Sequence, residues 1–154
     1  MFQTNNVGYL LNHMASVLGR QSDQVLQERL GIGFSQFKIM MVLKWNPSIR
    51  QKQIATQLAQ TEASISRQIK LLHEQGVLAT QINPKNRREH ITTLTHRGER
   101  FTNEALKVLN NYHAPIFAEL SEKDQQKITE ILGKMHEISC GSSRPGSCHF
   151  LPGK

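Results

Sequence analysis

The stretch IATQLAQTEASISRQIKLLHEQGVLATQINPKNRREHITTL, residues 54–94, decides the fold, because its hydrophobic period changes once along its length. Over residues 50–59 a short helix is expected, with Ile54, Ala55 and Leu58 on one face and a break at Ala59 and Gln60. Thr61 is the natural N-cap of a second helix, since its hydroxyl can accept from an unpaired backbone N–H of the first turn. In that helix Ile65, Ile69 and Leu72 fall within about 60° of one another on the wheel and face a core. Ala63, Arg67, Lys70 and Glu74 lie opposite, flanked by Ser64, Ser66 and Leu71. Gly76 stops the helix and the period drops from 3.6 to 2. LATQIN and EHITTL then read as hairpin strands joined by a tip of Pro84, Lys85, Asn86, Arg87 and Arg88. A helix suited to a major groove is thus followed by an arginine-tipped loop suited to a neighbouring minor groove, and the pattern points to DNA.

Working outward, residues 5–30 carry Val7, Leu10, Leu11, Met14, Leu18, Val25 and Leu26 at helical spacing, ended by Gly31 and Gly33. A helix after Ser35, stopped by Asn46 and Pro47, has apolar residues on several sides and reads as a buried scaffold. Past the hairpin, Thr95 caps a long helix bearing Phe101 to Leu120, and Ser121, with Asp124 three residues on, caps a last one bearing Ile128, Ile131, Leu132, Met135 and Ile138. The expected class is mainly α with a small β-hairpin wing, a winged helix-turn-helix with long N- and C-terminal dimerisation helices. The lobe spans 34–94, the dimerisation helices 5–30 and 95–138, and the single domain 1–138. Residues 139–154, rich in Ser, Gly and Pro, read as a flexible tail.

Charge supports this division. The 154-residue chain has a formal net charge of +7 and a pI near 9.7. Residues 1–47 hold four Lys/Arg against two Asp/Glu, residues 48–100 nine against four, and residues 101–154 six against six, so the excess sits on the central segment. No apolar run reaches bilayer length and MFQTNN lacks signal-peptide character, so a cytoplasmic protein without a membrane partner is expected. Both cysteines, Cys140 and Cys148, fall near the C-terminus, which rules out a disulfide framework for the core. A partial zinc site from His136, Cys140, Cys148 and His149 fits no standard spacing, and redox sensing has only Arg144 and His149 nearby to lower a thiol pKa. No metal and no cofactor are expected. Neither a glycine-rich phosphate loop nor a nucleophile elbow is present, and the chain does not read as an enzyme.

By element order over residues 5–138, and specifically in SISRQIKLLHEQGVL and NPKNRREHITTLTHRGE, the chain resembles the MarR (multiple antibiotic resistance regulator) family of transcription factors. The resemblance implies a homodimer on a pseudo-palindromic operator, with recognition helices in successive major grooves and wings in flanking minor grooves. It also implies an effector pocket between the helical base and the DNA-binding lobe, here near His13, Val17, Met40 and His113, although core or surface packing is the plainer reading of the two histidines. The chain departs from the family's Asp-Pro-x-Asp-x-Arg wing by carrying Asn83 and Asn86 before Arg88. Asn offers a wing arginine only a neutral hydrogen bond, so a looser and more positive wing is expected.

Arg67 is the expected base reader, because its planar fork suits guanine. Ser64, Ser66 and Lys70 are expected at phosphates or in mixed contacts, with Thr61 at the helix start. Arg50, Lys52 and Gln53 are phosphate candidates, and Arg50 reads equally well as plain surface. Arg87 and Arg88 suit a narrow A·T-rich minor groove, unless one of them holds the wing to the body. These features describe a sequence-specific regulator, a ligand-responsive repressor in outline, whose effector would be a small aromatic or anionic molecule. Two alternatives are a winged-helix protein-interaction module and a low-specificity nucleoid-type DNA binder.

Overall fold

The computed structural model describes residues 6–47 and 49–140. Its elements run α1 (Val7–Leu30), α2 (Phe34–Trp45), α3 (Gln51–Gln57), α4 (Glu62–Glu74), β1 (Leu78–Asn83), β2 (Asn86–Leu94), α5 (His96–Ala118) and α6 (Glu122–Cys140). This is the mainly α winged helix-turn-helix with long terminal helices. Among the described residues no helix is long and apolar enough to cross a membrane, and no group of His, Cys, Asp and Glu could hold a metal ion. Residues 141–154 of the expected tail, with Cys148 and His149, lie outside the described residues.

The core is centred on α2. Ile39, Met40 and Val42 are wholly buried, Phe37, Met41 and Leu43 nearly so, and the helix is apolar around most of its circumference because other elements cover it on several sides. It begins at Phe34, one residue before Ser35, because its first turn is capped from elsewhere. The Phe34 N–H donates to Asp23 Oδ1 of α1 at 2.8 Å, and the Gly33 N–H to Gln36 Oε1 at 2.9 Å. Gly31, at φ 68°, closes α1 in the left-handed conformation that glycine adopts without steric cost.

Two junctions set the lobe. Between α3 and α4 the chain turns through Ala59, which takes a φ of 51° despite its Cβ. Gln60, beside it, bonds the Ser35 hydroxyl through both ends of its amide at 3.0 and 3.2 Å, pinning the turn to the start of α2. At the other junction the Thr95 N–H donates to Val77 O at 3.1 Å, and the Thr95 hydroxyl donates to Gly76 O at 2.8 Å. The same hydroxyl accepts the Gly98 N–H at 3.0 Å. A Cβ on Gly98 would lie 2.1 Å from Val77 O, so only glycine lets the first turn of α5 seat against the exit of α4.

α5 passes through Pro115, which has no N–H to offer the carbonyl of Asn111 one turn back. Its C-terminus is closed from α6, where Gln125 Nε2 donates to Phe117 O at 2.9 Å and Leu120 O at 3.1 Å. Ser121 caps α6 as expected, accepting the Asp124 N–H at 3.2 Å. Only the C-terminal part of α1 is buried, through Ser22, Val25 and Leu26, whereas α6 has no buried residue among those described.

Candidate nucleic-acid interface

α4 divides as its wheel requires. Ile65, Ile69 and Leu72 are buried at 4% exposure or less, which fixes the roll of the helix and turns Ala63, Ser66, Arg67, Lys70 and Glu74 to solvent. Of the residues singled out on this helix, Ser66, Arg67 and Lys70 carry their polar groups on its open face. Thr61 and Ser64 are engaged at its start: Thr61 Oγ1 accepts the Ser64 N–H at 3.2 Å and the Ser64 hydroxyl donates to Gln60 Oε1 at 3.4 Å. Capping occupies one lone pair of the Thr61 hydroxyl, on an exposed residue, and leaves its proton available to donate.

On α3, Lys52 is exposed, and Gln53 is exposed with Oε1 accepting the Arg50 N–H at 3.2 Å. Arg50 lies just ahead of this helix and does something different. Its backbone forms an isolated antiparallel bridge with Ile91 of β2, and its Nη1 stands 3.2 Å from Glu89 Oε1. The N-terminus of α3 is thereby tied to the wing.

The hairpin differs from the expected one in where it turns. The expected tip of five residues is a turn of two, Pro84 and Lys85, and β2 begins at Asn86, opposite Asn83. Both asparagines shape this turn through their own side chains. Asn83 Oδ1 accepts the Lys85 N–H at 3.0 Å and Asn86 Oδ1 accepts the Arg88 N–H at 3.2 Å, the short-range bonding that makes Asn a turn former. The next paired residues are Ile82 and His90, so Arg87, Arg88 and Glu89 form a bulge on β2 with nothing opposite them on β1. The two arginines therefore project from a bulge in the strand behind the tip, and Lys85 occupies the tip. Lys85, Arg87 and Arg88 are all exposed.

The bulge folds back through Glu89. Its Oε2 accepts from Asn83 Nδ2 at 3.1 Å while its Oε1 faces Arg50, so one carboxylate joins both strands of the wing to the approach of α3. Gln60, Asn83 and Glu89 were not among the candidate residues. Asn83 had a readable signal in its departure from the wing pattern, whereas Glu89 reads in sequence as one more solvated charge.

The four residues expected around an effector pocket have different surroundings. Met40 is wholly buried in the core, His13 is exposed and stacks on Tyr9, and Val17 is half-buried on α1. His113 packs between α5 and α1, its Nε2 3.1 Å from Ser22 Oγ and its Nδ1 buried with no hydrogen-bond partner among the described residues. The cleft beside it, about 310 Å³, is lined by Arg29, Val108, Asn111 and Tyr112, a cation and an aromatic ring that the sequence does not single out.

A model of the MarR family matches residues 34–90, the stretch from α2 into β2. An uncharacterized HTH-type transcriptional regulator of Bacillus cereus is 24% identical over 139 residues, covering 88% of this chain and 92% of the relative. In structure, apo MarR from E. coli superposes with a TM-score of 0.79 at 18% identity, over 87% of this chain and 98% of that one. CouR from Rhodococcus jostii RHA1 bound to p-coumaroyl-CoA gives 0.75 at 15% identity, over 94% and 100%. CouR, a transcriptional repressor, bound to a 23-mer DNA duplex gives 0.72 at 22%, over 84% and 91%.

Proposed function

From the premise that this chain belongs to the MarR family of transcriptional regulators, carried by its winged-helix lobe, we propose that it binds a two-fold operator as a homodimer and represses transcription from it. The observation that carries the DNA reading is the exposure of Ser66, Arg67 and Lys70 on one face of α4, together with Lys85, Arg87 and Arg88 on the wing that follows it. In the proposed complex Arg67 bonds a base edge, Lys52, Lys70 and the Thr61 hydroxyl hold phosphates, and the wing arginines enter the flanking minor groove.

The homodimer is supported by apolar surface that the chain's own fold leaves open. Ile128, Ile131, Leu132, Met135 and Ile138 recur at helical spacing along α6 and are all exposed, as are Val7, Tyr9, Leu10 and Met14 on α1 and Tyr112, Ile116 and Phe117 on α5. Three terminal elements presenting apolar stripes together suit a partner with the same stripes.

A small effector, aromatic or anionic, is proposed to act between the helical base and the lobe. The cleft of Arg29, Val108, Asn111 and Tyr112 offers it a cation and an aromatic ring. Binding there would act by favouring one separation of the recognition helices over another.

Selection of bound duplexes from random DNA is the test. A two-fold consensus with half-sites about one helical turn apart is the expected result. Recovery of DNA without a consensus would support a nucleoid-type binder instead, and no recovery above background would support a protein-docking module.

A further inference from the structure

We propose that Glu89 is the positioning residue of the wing, holding the bulge that carries Arg87 and Arg88 at a fixed angle and keeping Arg50 away from phosphate. The inference rests on the DNA-binding reading above. Each oxygen of the Glu89 carboxylate has its own partner, Asn83 Nδ2 at 3.1 Å and Arg50 Nη1 at 3.2 Å, and the Arg50 backbone bridges Ile91 two residues further along β2. Three residues of β2 stand opposite none of β1; Asn86 Oδ1 holds the Arg88 N–H within that gap, and Glu89 is the one of the three whose side chain bonds across to β1 among the described residues. An unclosed bulge of three residues would let the two arginines sample many directions. Closed, it removes that conformational freedom before DNA arrives, so less is lost on binding.

The chemistry explains why asparagine stands at position 83. An amide donates to a carboxylate, whereas an aspartate there would set two like charges at hydrogen-bond distance. Asn83 and Glu89 are thus a matched pair, and the asparagine tightens the wing that it was expected to loosen. Arg50, in turn, commits one face of its guanidinium to Glu89 and is not the free phosphate contact that its position at the lobe surface suggests.

The test uses the full-length protein and a duplex from the selection described above, prepared with the outermost positions as A·T runs or as G·C runs. Affinity is measured by fluorescence anisotropy over a salt series for the wild type, E89A, N83D, and the swapped pair N83D/E89Q, in which amide and carboxylate exchange places and the donor sits on β2. The wild type should favour A·T flanks severalfold. E89A and N83D should lose most of that preference, and E89A should steepen the salt dependence by about 0.9 in log–log slope per subunit as the freed Arg50 takes a phosphate. The swapped pair should recover the preference. Equal flank preference in wild type and E89A, or a swapped pair no better than N83D, would overturn the positioning role while leaving the regulator reading intact. If the selection yields no consensus, it is the regulator reading that fails.

Discussion

At the residue scale the decisive side chains are those whose surroundings leave them one use. Arg67 has no hydrogen bond or ion pair among the described contacts and stands on a helix whose roll is fixed by Ile65, Ile69 and Leu72. Arg67→Ala should weaken operator binding by about 1–3 kcal/mol and relax discrimination at a single base pair per half-site, with the melting temperature unchanged. Competition against duplexes mutated one position at a time reads both effects, and a uniform loss across all sequences would reassign Arg67 to phosphate. Gly98 is the opposite case, a residue far from DNA with a strict steric job. Gly98→Ala brings a methyl group to 2.1 Å from Val77 O, and the seat of α5 on the exit of α4 must open. A loss of about 1–3 kcal/mol in urea unfolding is expected, and a variant as stable as the wild type would show that the junction gives way freely. The residues facing solvent on α4 could be read from periodicity because it encodes which face is covered. Gly98, by contrast, could be recognised only through the family resemblance of the stretch NPKNRREHITTLTHRGE, in which it is the glycine, since what crowds it comes from Val77, more than twenty residues earlier.

At the scale of elements, the helices and their caps were legible and the wing was legible only in outline. Thr61, Thr95 and Ser121 cap α4, α5 and α6 from the positions where a hydroxyl before an apolar run predicts them. The hairpin turn escaped because Asx bonding at Asn83 and Asn86 closes it in two residues, which extends β2 back to Asn86 and moves the arginines into a bulge. A cleft is hard to read from sequence for another reason: it depends on which side chains leave space, and Met40 follows the same helical spacing whether it lines a cavity or, as here, is wholly buried in the core. α6 presents a question that only an assembly resolves. Its stripe of Ile128, Ile131, Leu132, Met135 and Ile138 faces away from a polar side on which Glu130 pairs with Lys127 and Lys134. Ile131→Glu places a charge in the middle of that stripe, where burial of an isoleucine would contribute about 1.5–3 kcal/mol. Sedimentation at micromolar concentration should then show a shift from dimer to monomer with helix content preserved. An unchanged dimer would mean that α6 is not part of the interface.

For the whole molecule, charge and symmetry combine into one measurable quantity. Basic residues concentrate on the lobe while the terminal helices are nearly neutral, so the proposed dimer presents two separate cationic faces and joins them through apolar surface. Counterion release makes the logarithm of affinity fall with the logarithm of salt by about 0.9 per phosphate neutralised. Lys52, Lys70 and Lys85 are exposed on each subunit, with no ion pair among the described contacts, and would supply about six phosphate contacts in a dimer. The expected slope is therefore near −5, which amounts to a loss of about three orders of magnitude in affinity between 50 and 200 mM salt. A monomer bound through one lobe would show about half that slope. Ile131→Glu should accordingly halve it and also lower affinity steeply, because the second lobe no longer benefits from the first one's attachment. Should the variant lose affinity with its slope unchanged, the two lobes would not be acting together on one duplex, and the helical base would owe its apolar stripes to some other partner.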